Sequence, residues 1–582
     1  MRQSPDLVDS LLHTAESHPL RPATLLVNDA NWDREPTVLT YGDLVASARA
    51  LAVRLREDCA PGSRVLLLFP TGTEFLIGYI GCLFAAVVPV PAPPPGNNRN
   101  SLARTVAVIK DADVAMVLTT AADAPDIGAM LHGRGLGRVV VVATDVEPLG
   151  DPGAWTPPDI DAHTLALLQY TSGSTSEPRG VMVTHTDLVH NFRAMRDHWG
   201  LGPDTRTGCW TPNFHDMGLI AGLLLPLHIG SASVVMSPTD FIKRPHRWLK
   251  CVDRFDVAHS VAPNFAYDLC VRRVTDEQAA DLDLSRWRFI GTGSEPVDAS
   301  VLDRFVDRFR AAGVRRERVF AAYGLAEATL FVSATPNGTA PVVVDADPER
   351  MSRHELAPAA EGVAGSALVS CGASGHLDIR IVDRESARAL PDGRVGEVWL
   401  RGPGIARGYW RNDEATRRTF GGVTADGEGG FLRTGDLGVL RDGELIITGR
   451  IKDVLMVHGR NLYPQDLERE IRDADEAFAR GRGSVFAVPV PREEIVVVQE
   501  VAGRDLDGER LGALAGGIRR LLLREFGVPA ANVVLVRRGA VRTTTSGKVQ
   551  RALMRELFVG NALQPLHEEL GERTAADYRQ GR

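Results

Sequence analysis

The sequence predicts an α/β protein in which a large N-terminal domain of parallel-sheet subdomains plus a β-rich subdomain precedes a small α+β C-terminal domain. Three observations predict this organisation. The chain has 582 residues, more than one hydrophobic core normally serves, so at least two domains are expected. Short runs of Leu and β-branched residues alternate with helical patterns, which is typical of parallel sheets covered by helices. Beyond Gly396 the pattern changes to short strands with glycine-rich turns.

The first part of the chain shows a regular series of strand and helix patterns. A capped amphipathic helix is predicted after Ser4-Pro5-Asp6, because proline is tolerated in the first turn of a helix. Strands are predicted at residues 64–69, 139–142, 165–169 and 289–290, and helices at 102–110 and 302–312. The apolar run 75–88 is too short to span a bilayer and ends at Pro89, so a buried helix is expected.

The second part of the chain changes character twice. Residues 337–368 lack a clear period and are rich in Ala, Pro and acidic residues, so we expect an insertion there. Strand patterns at 396–400 and 443–447 predict the β-rich subdomain, and a helix is predicted at 511–526. These patterns favour an N-terminal domain at residues 1–450 and a C-terminal domain at residues 451–582.

Composition excludes several classes of protein. Apolar residues make up 44% of the chain and charged residues 24%, which is ordinary for a globular protein and too apolar for a disordered one. The net charge of -8 is mild for this length and argues against a general nucleic-acid or membrane-surface binder. The six cysteines are scattered, and acidic residues occupy the place of a signal-peptide core. We therefore expect a cytoplasmic protein with no integral membrane segment.

A Gly-, Ser- and Thr-rich stretch after the predicted strand 165–169 points to phosphate binding. Residues 170–180 read YTSGSTSEPRG, which is not an ordinary P-loop because Val181 follows Gly180. Glycine frees backbone N–H groups and the hydroxyls add donors, a combination suited to the β and γ phosphates of a nucleotide. The residues of this anion cradle are Thr171, Ser172, Gly173, Ser174 and Thr175. A polar linker loop is the alternative.

Four further stretches give this loop a context. They are Gly293-Ser294-Glu295-Pro296, Tyr323-Gly324-Leu325-Ala326-Glu327, Arg433-Thr434-Gly435-Asp436 and Thr545-Ser546-Gly547-Lys548. Together with residues 170–180, in this order, they resemble the adenylate-forming superfamily of acyl-CoA synthetases, luciferases and peptide-synthetase adenylation enzymes. The resemblance covers most of the chain.

Three other stretches narrow the resemblance to one subfamily. Residues 213–220 (NFHDMGLI), 330–333 (LFVS) and 368–372 (LVSCG) are similar to fatty acyl-AMP ligases, as is the position of the segment 337–368. The resemblance implies ATP-dependent activation of a fatty acid to acyl-AMP with pyrophosphate release. It also implies transfer of the acyl group to the phosphopantetheine thiol of a separate acyl carrier protein, in polyketide, lipopeptide or lipid biosynthesis. A medium- or long-chain acyl-CoA ligase and a non-catalytic acyl-adenylate-binding protein are the alternatives.

The resemblance also implies roles for single residues. Lys548, Glu327 and His215 are the implied catalytic residues, Glu327 is the implied Mg²⁺ ligand, and Lys452 is the implied hinge of a mobile C-terminal lid. The implied nucleotide contacts outside the 171–175 loop are Arg179, Gly293, Ser294, Glu295, Pro296, Ala322, Tyr323, Gly324, Ala326, Asp436 and Arg450. Ordinary structural roles stay open: a helix-start carboxylate for Glu327, a surface lysine, a turn aspartate, a core tyrosine and a structural His215-Asp216 pair.

Two residues depart from the pattern of the family, and two further predictions each have an ordinary structural alternative. Arg179 stands where relatives usually carry Lys, and Ala326 replaces a hydroxyl residue that many superfamily members have before the Glu. Residues 219–227 and 261–265 are candidates for an acyl tunnel, although core packing explains them equally well. Carrier-protein docking and a solvated helix face are both open for Arg519, Arg520, Arg524, Arg537 and Arg538.

Overall fold

The predicted α/β organisation is confirmed by the structure, a computed structural model. It describes residues 6–95, 99–147, 149–170, 178–362, 365–457, 460–490, 492–503, 506–528, 532–544 and 547–579. Within these ranges no helix is long and apolar enough to cross a membrane.

An eight-stranded sheet forms the centre of the N-terminal region. An antiparallel strand lies at each edge and the strands between them are parallel. Their spatial order is Phe331–Ala334, Val319–Gly324, Phe289–Thr292, His259–Ala262, Thr207–Cys209, Ser233–Val235, Pro22–Leu26 and Thr37–Thr40. One face of the sheet packs against the helix His185–Trp199, and the other buries Trp248, Trp287 and Phe305.

A second, four-stranded parallel sheet lies beside the first region. Its spatial order is Val88–Pro91, Arg64–Leu67, Val114–Thr119 and Val140–Ala143. An antiparallel pair, Leu165–Tyr170 and Gly180–Thr184, follows in the chain and flanks the predicted phosphate loop. The second strand of this pair leads directly into the helix His185–Trp199, where Thr184 and Asp187 form a reciprocal capping box.

The β-rich subdomain is an antiparallel sheet of four strands, in the order Asp378–Val382, Gly396–Arg401, Leu432–Arg441 and Glu444–Arg450. Short pairs stand on either side of it in the chain, Val343–Ala346 with Ser366–Val369 and Leu455–Val457 with Arg460–Leu462. The last sheet runs in the order Gly483–Val490, Arg492–Val501, Asn532–Arg537 and Pro565–Glu569. It mixes parallel and antiparallel pairs with flanking helices, as predicted for an α+β unit.

Helices cover these sheets. The α-helices are Leu7–Ser17, Tyr41–Asp58, Thr73–Phe84, Arg99–Ala112, Ala124–Gly133, His185–Trp199, Leu225–His228, Pro238–Lys243, His246–Arg254, Asn264–Arg273, Asp276–Ala280, Ala299–Phe309, Pro348–Ser352, Asp413–Phe420, Pro464–Asp473, Gly508–Phe526, Arg551–Val559 and Glu572–Arg579. Single 3₁₀ turns occur at Pro152–Ala154, Arg316–Arg318 and Ala326–Ala328. Met217–Leu224 is a π-helix.

Three sequence predictions need correction. The buried helix predicted over 75–88 ends at Phe84, and Val88–Pro91 is a strand of the parallel sheet. Ala86 adopts φ +58, a turn that stops the helix although the apolar pattern continues. The segment 337–368 is not irregular throughout, since it contains a strand pair and a short helix. The cap of the first helix is Asp6, whose side chain accepts a hydrogen bond from the backbone N–H of Asp9.

Candidate active site

A cleft of about 2100 Å³ lies at the carboxyl ends of the central parallel strands. Ligand sites of open α/β sheets form at this edge, where successive strands deliver their loops to one place. Every described residue of the predicted site lines the cleft: Arg179, His215, Gly293, Ser294, Glu295, Pro296, Ala322, Tyr323, Gly324, Ala326, Glu327, Asp436, Arg450, Lys452 and Lys548. The predicted phosphate residues Thr171, Ser172, Gly173, Ser174 and Thr175 lie outside the described residues.

Asp436 is the centre of a hydrogen-bonded cluster in the cleft wall. The Tyr323 hydroxyl donates to Asp436 Oδ2 over 2.7 Å, and Arg450 Nε lies 2.9 Å from Asp436 Oδ1. Asp436 is 4% exposed. Burial, together with the Asp436 carboxylate, raises the pKa of Tyr323 well above its ordinary value, so the phenol stays protonated as a donor. The cluster presents a fixed carboxylate whose oxygens suit a diol such as that of ribose.

Glu327 and Tyr409 form a second polar group in the cleft. The Tyr409 hydroxyl donates to Glu327 Oε1 over 2.7 Å, and the Arg179 guanidinium carbon lies 5.6 Å from the centroid of the Tyr409 ring. Burial raises the pKa of Glu327, while the bond from Tyr409 opposes that shift. A divalent cation at this carboxylate would favour its ionised form.

Lys548 reaches the cleft from a tight loop of the C-terminal region. Its backbone N–H donates to Thr544 Oγ1 over 3.1 Å, and its carbonyl accepts from the Thr544 N–H over 2.7 Å. Gly547 has φ +87, and a Cβ there would lie 2.8 Å from Phe265 of the N-terminal region. The loop therefore packs closely on that side chain, and glycine is the residue that permits both the turn and the approach.

The Lys548 ammonium group enters a charged environment. Burial and then the positive charge of Arg450 lower the pKa of Lys548, and the carboxylates of Asp216, Glu295 and Asp436 oppose that shift. Burial raises the pKa of Glu295, and Lys548 opposes this effect. Such a cation, held beside a nucleotide-sized space, is placed to stabilise negative charge on a phosphate or carboxylate.

An apolar arm of the same cleft runs between the sheet and the helix His185–Trp199. It is lined by Met195 and Trp199 of the helix, His259 and Val261 of one strand, and Phe331 of the edge strand. Ala221 also lines it, whereas the leucines of 219–227 are buried in the core and do not. Of the two predicted tunnel segments, 261–265 therefore contributes more to the wall, through Val261, Asn264 and Phe265.

Comparison with known proteins identifies the family. Residues 11–410 match the model of the family described as AMP-binding enzyme. The chain belongs to the AMP-binding enzyme family. It is 39% identical to the medium-chain-fatty-acid acyl-carrier-protein ligase JamA of Moorena producens, over 96% of this chain and 95% of the relative. It is 36% identical to a long-chain-fatty-acid AMP ligase of Mycobacterium tuberculosis, over 90% of this chain and 91% of the relative.

Solved structures agree with the assignment of this chain to the AMP-binding enzyme family. A structure from a study of fatty acyl-adenylate ligases of E. coli and L. pneumophila is 32% identical and matches with a TM-score of 0.86, over 95% of this chain and 97% of that chain. The fatty acyl-adenylate ligase of L. pneumophila in complex with acyl adenylate and pyrophosphate is 31% identical and matches with a TM-score of 0.75, over 98% of both chains. The resemblance to fatty acyl-AMP ligases is thereby confirmed.

The His215-Asp216 pair of this AMP-binding enzyme lines the cleft and also has a structural role. His215 Nδ1 lies 2.7 Å from Asp216 Oδ1, and the same oxygen accepts the backbone N–H of Met217 at the start of the π-helix. Burial acts to raise the pKa of Asp216, but His215 and then Lys548 outweigh it and lower that pKa. The structural pairing is observed, and the catalytic role implied for His215 stays a prediction.

Sequence reasoning missed Tyr409, Phe265 as a docking surface for the lysine loop, and the Trp199–His259 end of the apolar arm. Tyr409 stands in the stretch Gly408-Tyr409-Trp410, which matches none of the motifs named from the sequence. The docking arginines are partly engaged in ion pairs, Arg519 with Glu569 at 2.8 Å and Arg524 with Glu525 at 2.6 Å. Their role toward a carrier protein stays a prediction.

Proposed function

We propose that this AMP-binding enzyme is a fatty acyl-AMP ligase, which activates a fatty acid with ATP and passes the acyl group to an acyl carrier protein. The proposal rests on one feature: a single cleft joins the Asp436 cluster, the Lys548 ammonium and an apolar arm. An adenylate-forming reaction needs these three in contact, a nucleotide site, a cation at the reacting anions and a place for an acyl chain.

In the first step an oxygen of the fatty carboxylate attacks the α-phosphorus of ATP. A bond forms between that oxygen and phosphorus, the bond to the β-phosphate bridging oxygen breaks, and pyrophosphate leaves with the electron pair. The barrier is largely electrostatic because two anions meet. Lys548 supplies positive charge where the two anions meet. Asp436 holds the ribose, and Tyr323 and Arg450 fix the Asp436 carboxylate in place.

Mg²⁺ fits the Glu327 side of the cleft as an ion that arrives with ATP. Magnesium is usually bound by one or two carboxylates together with substrate phosphates. Within the described residues no group of three or more His, Cys, Asp and Glu could form a metal cage. Glu327 is the donor we assign to the ion because its carboxylate lines the cleft. When bound, the ion neutralises phosphate charge, and Tyr409 orients the carboxylate that holds it.

In the second step the phosphopantetheine sulfur of the carrier attacks the acyl carbonyl carbon. A C–S bond forms, the bond to the AMP oxygen breaks, and the thiol proton passes to solvent. We propose that residues 451–582 form a lid that turns about Lys452, so that Lys548 leaves the cleft and the thiol can enter. Lys452 lines the cleft two residues after Arg450, the last residue of the β-rich sheet.

A product assay tests the proposal against a fatty acyl-CoA ligase, because other relatives of similar identity are named putative fatty-acid CoA ligases. The protein is mixed with ATP, Mg²⁺ and fatty acids of increasing length, alone, with CoA, or with a carrier protein bearing phosphopantetheine. Mass spectrometry identifies the products. We expect acyl-AMP as the product without an acceptor and also when CoA is present. With the carrier protein we expect the acyl group on the carrier thiol. Rapid conversion to acyl-CoA would overturn the choice of acceptor, and ADP as product would overturn adenylation.

A further inference from the structure

The inner end of the apolar arm carries two polar side chains that an alkyl chain cannot satisfy. Trp199 is 3% exposed and His259 is 1% exposed, and both line the arm. Trp199 closes the helix His185–Trp199, and His259 opens the strand His259–Ala262. His259 and Val261 share one face of that strand because side chains alternate with a period of two.

Both side chains hold a buried nitrogen without a hydrogen-bond partner among the described residues. These atoms are Trp199 Nε1 and His259 Nε2. Other buried Trp and His nitrogens in the described part of the chain also lack partners: His185 Nδ1, Trp210 Nε1, Trp248 Nε1 and Trp410 Nε1. None of those four residues lines the cleft, whereas Trp199 and His259 both do. Leaving such groups unpaired beside an alkyl chain is unfavourable, because each loses its hydrogen bond to water without gaining another.

The two groups call for an uncharged partner that both accepts and donates. Trp199 Nε1–H is a donor only. His259 Nδ1 lies 3.3 Å from Thr207 Oγ1, which leaves Nε2 directed elsewhere. Burial lowers the pKa of His259 to about 4, so the ring is neutral near pH 7 and does not attract a second carboxylate. A hydroxyl oxygen matches both nitrogens, since it accepts from the indole and pairs with the imidazole in either tautomer.

A hydroxyl that pairs with both nitrogens would lie at the edges of the two rings, which contact each other, and far from the reacting carboxylate. The ring centroids of Trp199 and His259 are 5.9 Å apart with their planes inclined by 43°. The loop of Lys548 packs on Phe265, just beyond the carboxyl end of the strand His259–Ala262. His259 begins that strand, which spans about 10 Å at about 3.3 Å per residue. A hydroxyl bound there belongs to a carbon well along the acyl chain.

We propose that the acyl arm selects a fatty acid with a hydroxyl group on a carbon remote from its carboxylate, bound between Trp199 and His259. The inference rests on the proposed function, because it names the substrate class of the same site. Met195 and Val261 line the approach with apolar surface, so the chain before the hydroxyl packs as an alkyl group.

A positional scan tests this with the full-length protein. Acyl-AMP formation is measured with saturated acids of equal length, unsubstituted or carrying one hydroxyl moved along the chain toward the ω carbon. At one position kcat/KM should exceed that of the unsubstituted acid by at least about tenfold. An unsubstituted acid that equals or exceeds every hydroxy acid overturns the inference alone. Absence of acyl-AMP with every acid overturns the proposed function itself.

Variants locate the effect. Trp199→Phe removes the indole nitrogen and His259→Phe removes both imidazole nitrogens. Each variant should bring the ratio of hydroxylated to unsubstituted acid within about threefold of unity. Met195→Leu is the control, because Met195 lines the same arm but has no group that pairs with the hydroxyl. The ratio should stay as in the unaltered protein even if the rate changes. Each result is a ratio of two kcat/KM values measured with the same variant. A partly unfolded fraction lowers both values equally and does not change the ratio. A ratio retained in both Phe variants overturns the assigned residues, and the scan of the unaltered protein decides the inference if either variant fails to fold.

Discussion

The Asp436 cluster and the Lys548 loop face the same space but are held there by different kinds of contact. Asp436 is paired with Tyr323 and Arg450, and all three stand on the central or β-rich sheets. Lys548 stands on a loop of the C-terminal region whose hold on the cleft includes the contact of Gly547 with Phe265 and the Arg472–Asp298 ion pair. The difference supports the proposal that nucleotide binding is built into fixed elements, whereas the charge of Lys548 is delivered by a lid that turns about Lys452.

The largest expected effect comes from removing the delivered charge. Lys548→Ala should lower acyl-AMP formation by about 10²–10³-fold, because a cation at the reacting anions is lost. ATP binding, measured by calorimetry, should change little since the Asp436 cluster is intact. Lys110→Ala is the matched control, an exposed lysine that does not line the cleft. Equal loss of ATP affinity and rate in Lys548→Ala would contradict the division between binding and catalysis.

The next largest effect is expected from a change of Asp436, which the fixed elements hold in the cleft. Asp436→Asn keeps the shape of the side chain but removes its charge, and it should raise the KM for ATP by about tenfold or more, the value of hydrogen bonds to a charged group. Tyr323→Phe is the matched control, because it removes one donor to Asp436 and leaves the carboxylate in place. Its KM for ATP should rise by less than about fivefold. Equal effects of both changes would mean that Asp436 acts only through the local fold.

The sequence predicted the residues of the site more completely than the contacts between them. Gly293 directly follows a parallel strand of the central sheet and Gly324 ends the next one, so the topology alone brings both to one edge. The Glu327–Tyr409 bond joins residues 82 positions apart, and its existence depends on packing that local patterns do not encode. The helix predicted over 75–88 runs past its true end because the apolar pattern continues through the turn at Ala86 to the strand Val88–Pro91.

Blocking the docking of the lysine loop should give an intermediate effect. Gly547→Val places a side chain at φ +87 and against Phe265, so acyl-AMP formation should fall by about tenfold or more. Transfer of the acyl group from supplied acyl-AMP to the carrier thiol should be spared, because that step does not need Lys548 in the cleft.

Gly443→Val separates backbone strain from the blocked contact. Gly443 has φ +79 and nothing lies within 4 Å of a Cβ built there, so the variant should lose thermal stability without losing adenylation. Loss of adenylation in both variants to the same degree would trace the effect to strain instead of docking.

The smallest effect is expected at the ion pair between the two regions. Arg472 Nη2 lies 3.5 Å from Asp298 Oδ2, and both side chains retain some exposure to solvent, so the pair should contribute about 1 kcal/mol or less. A double-mutant cycle of Arg472→Ala and Asp298→Asn on the rate of acyl-AMP formation measures this coupling. Asparagine keeps Oδ1, which caps the helix Ala299–Phe309 through the N–H groups of Ser300 and Val301, so the cycle reports the charge and not the cap.

Salt then distinguishes how the lid is held. A coupling that fades between low and high ionic strength would be that of an exposed pair, and the apolar contact of Gly547 with Phe265 would carry the docking. A coupling well above 1 kcal/mol that persists in salt would instead place a substantial part of the lid's hold on Asp298. In that case the lid that carries Lys548 would be held nearly as firmly as the Asp436 cluster. Release of the lid would then require the Arg472–Asp298 pair to break in every catalytic cycle.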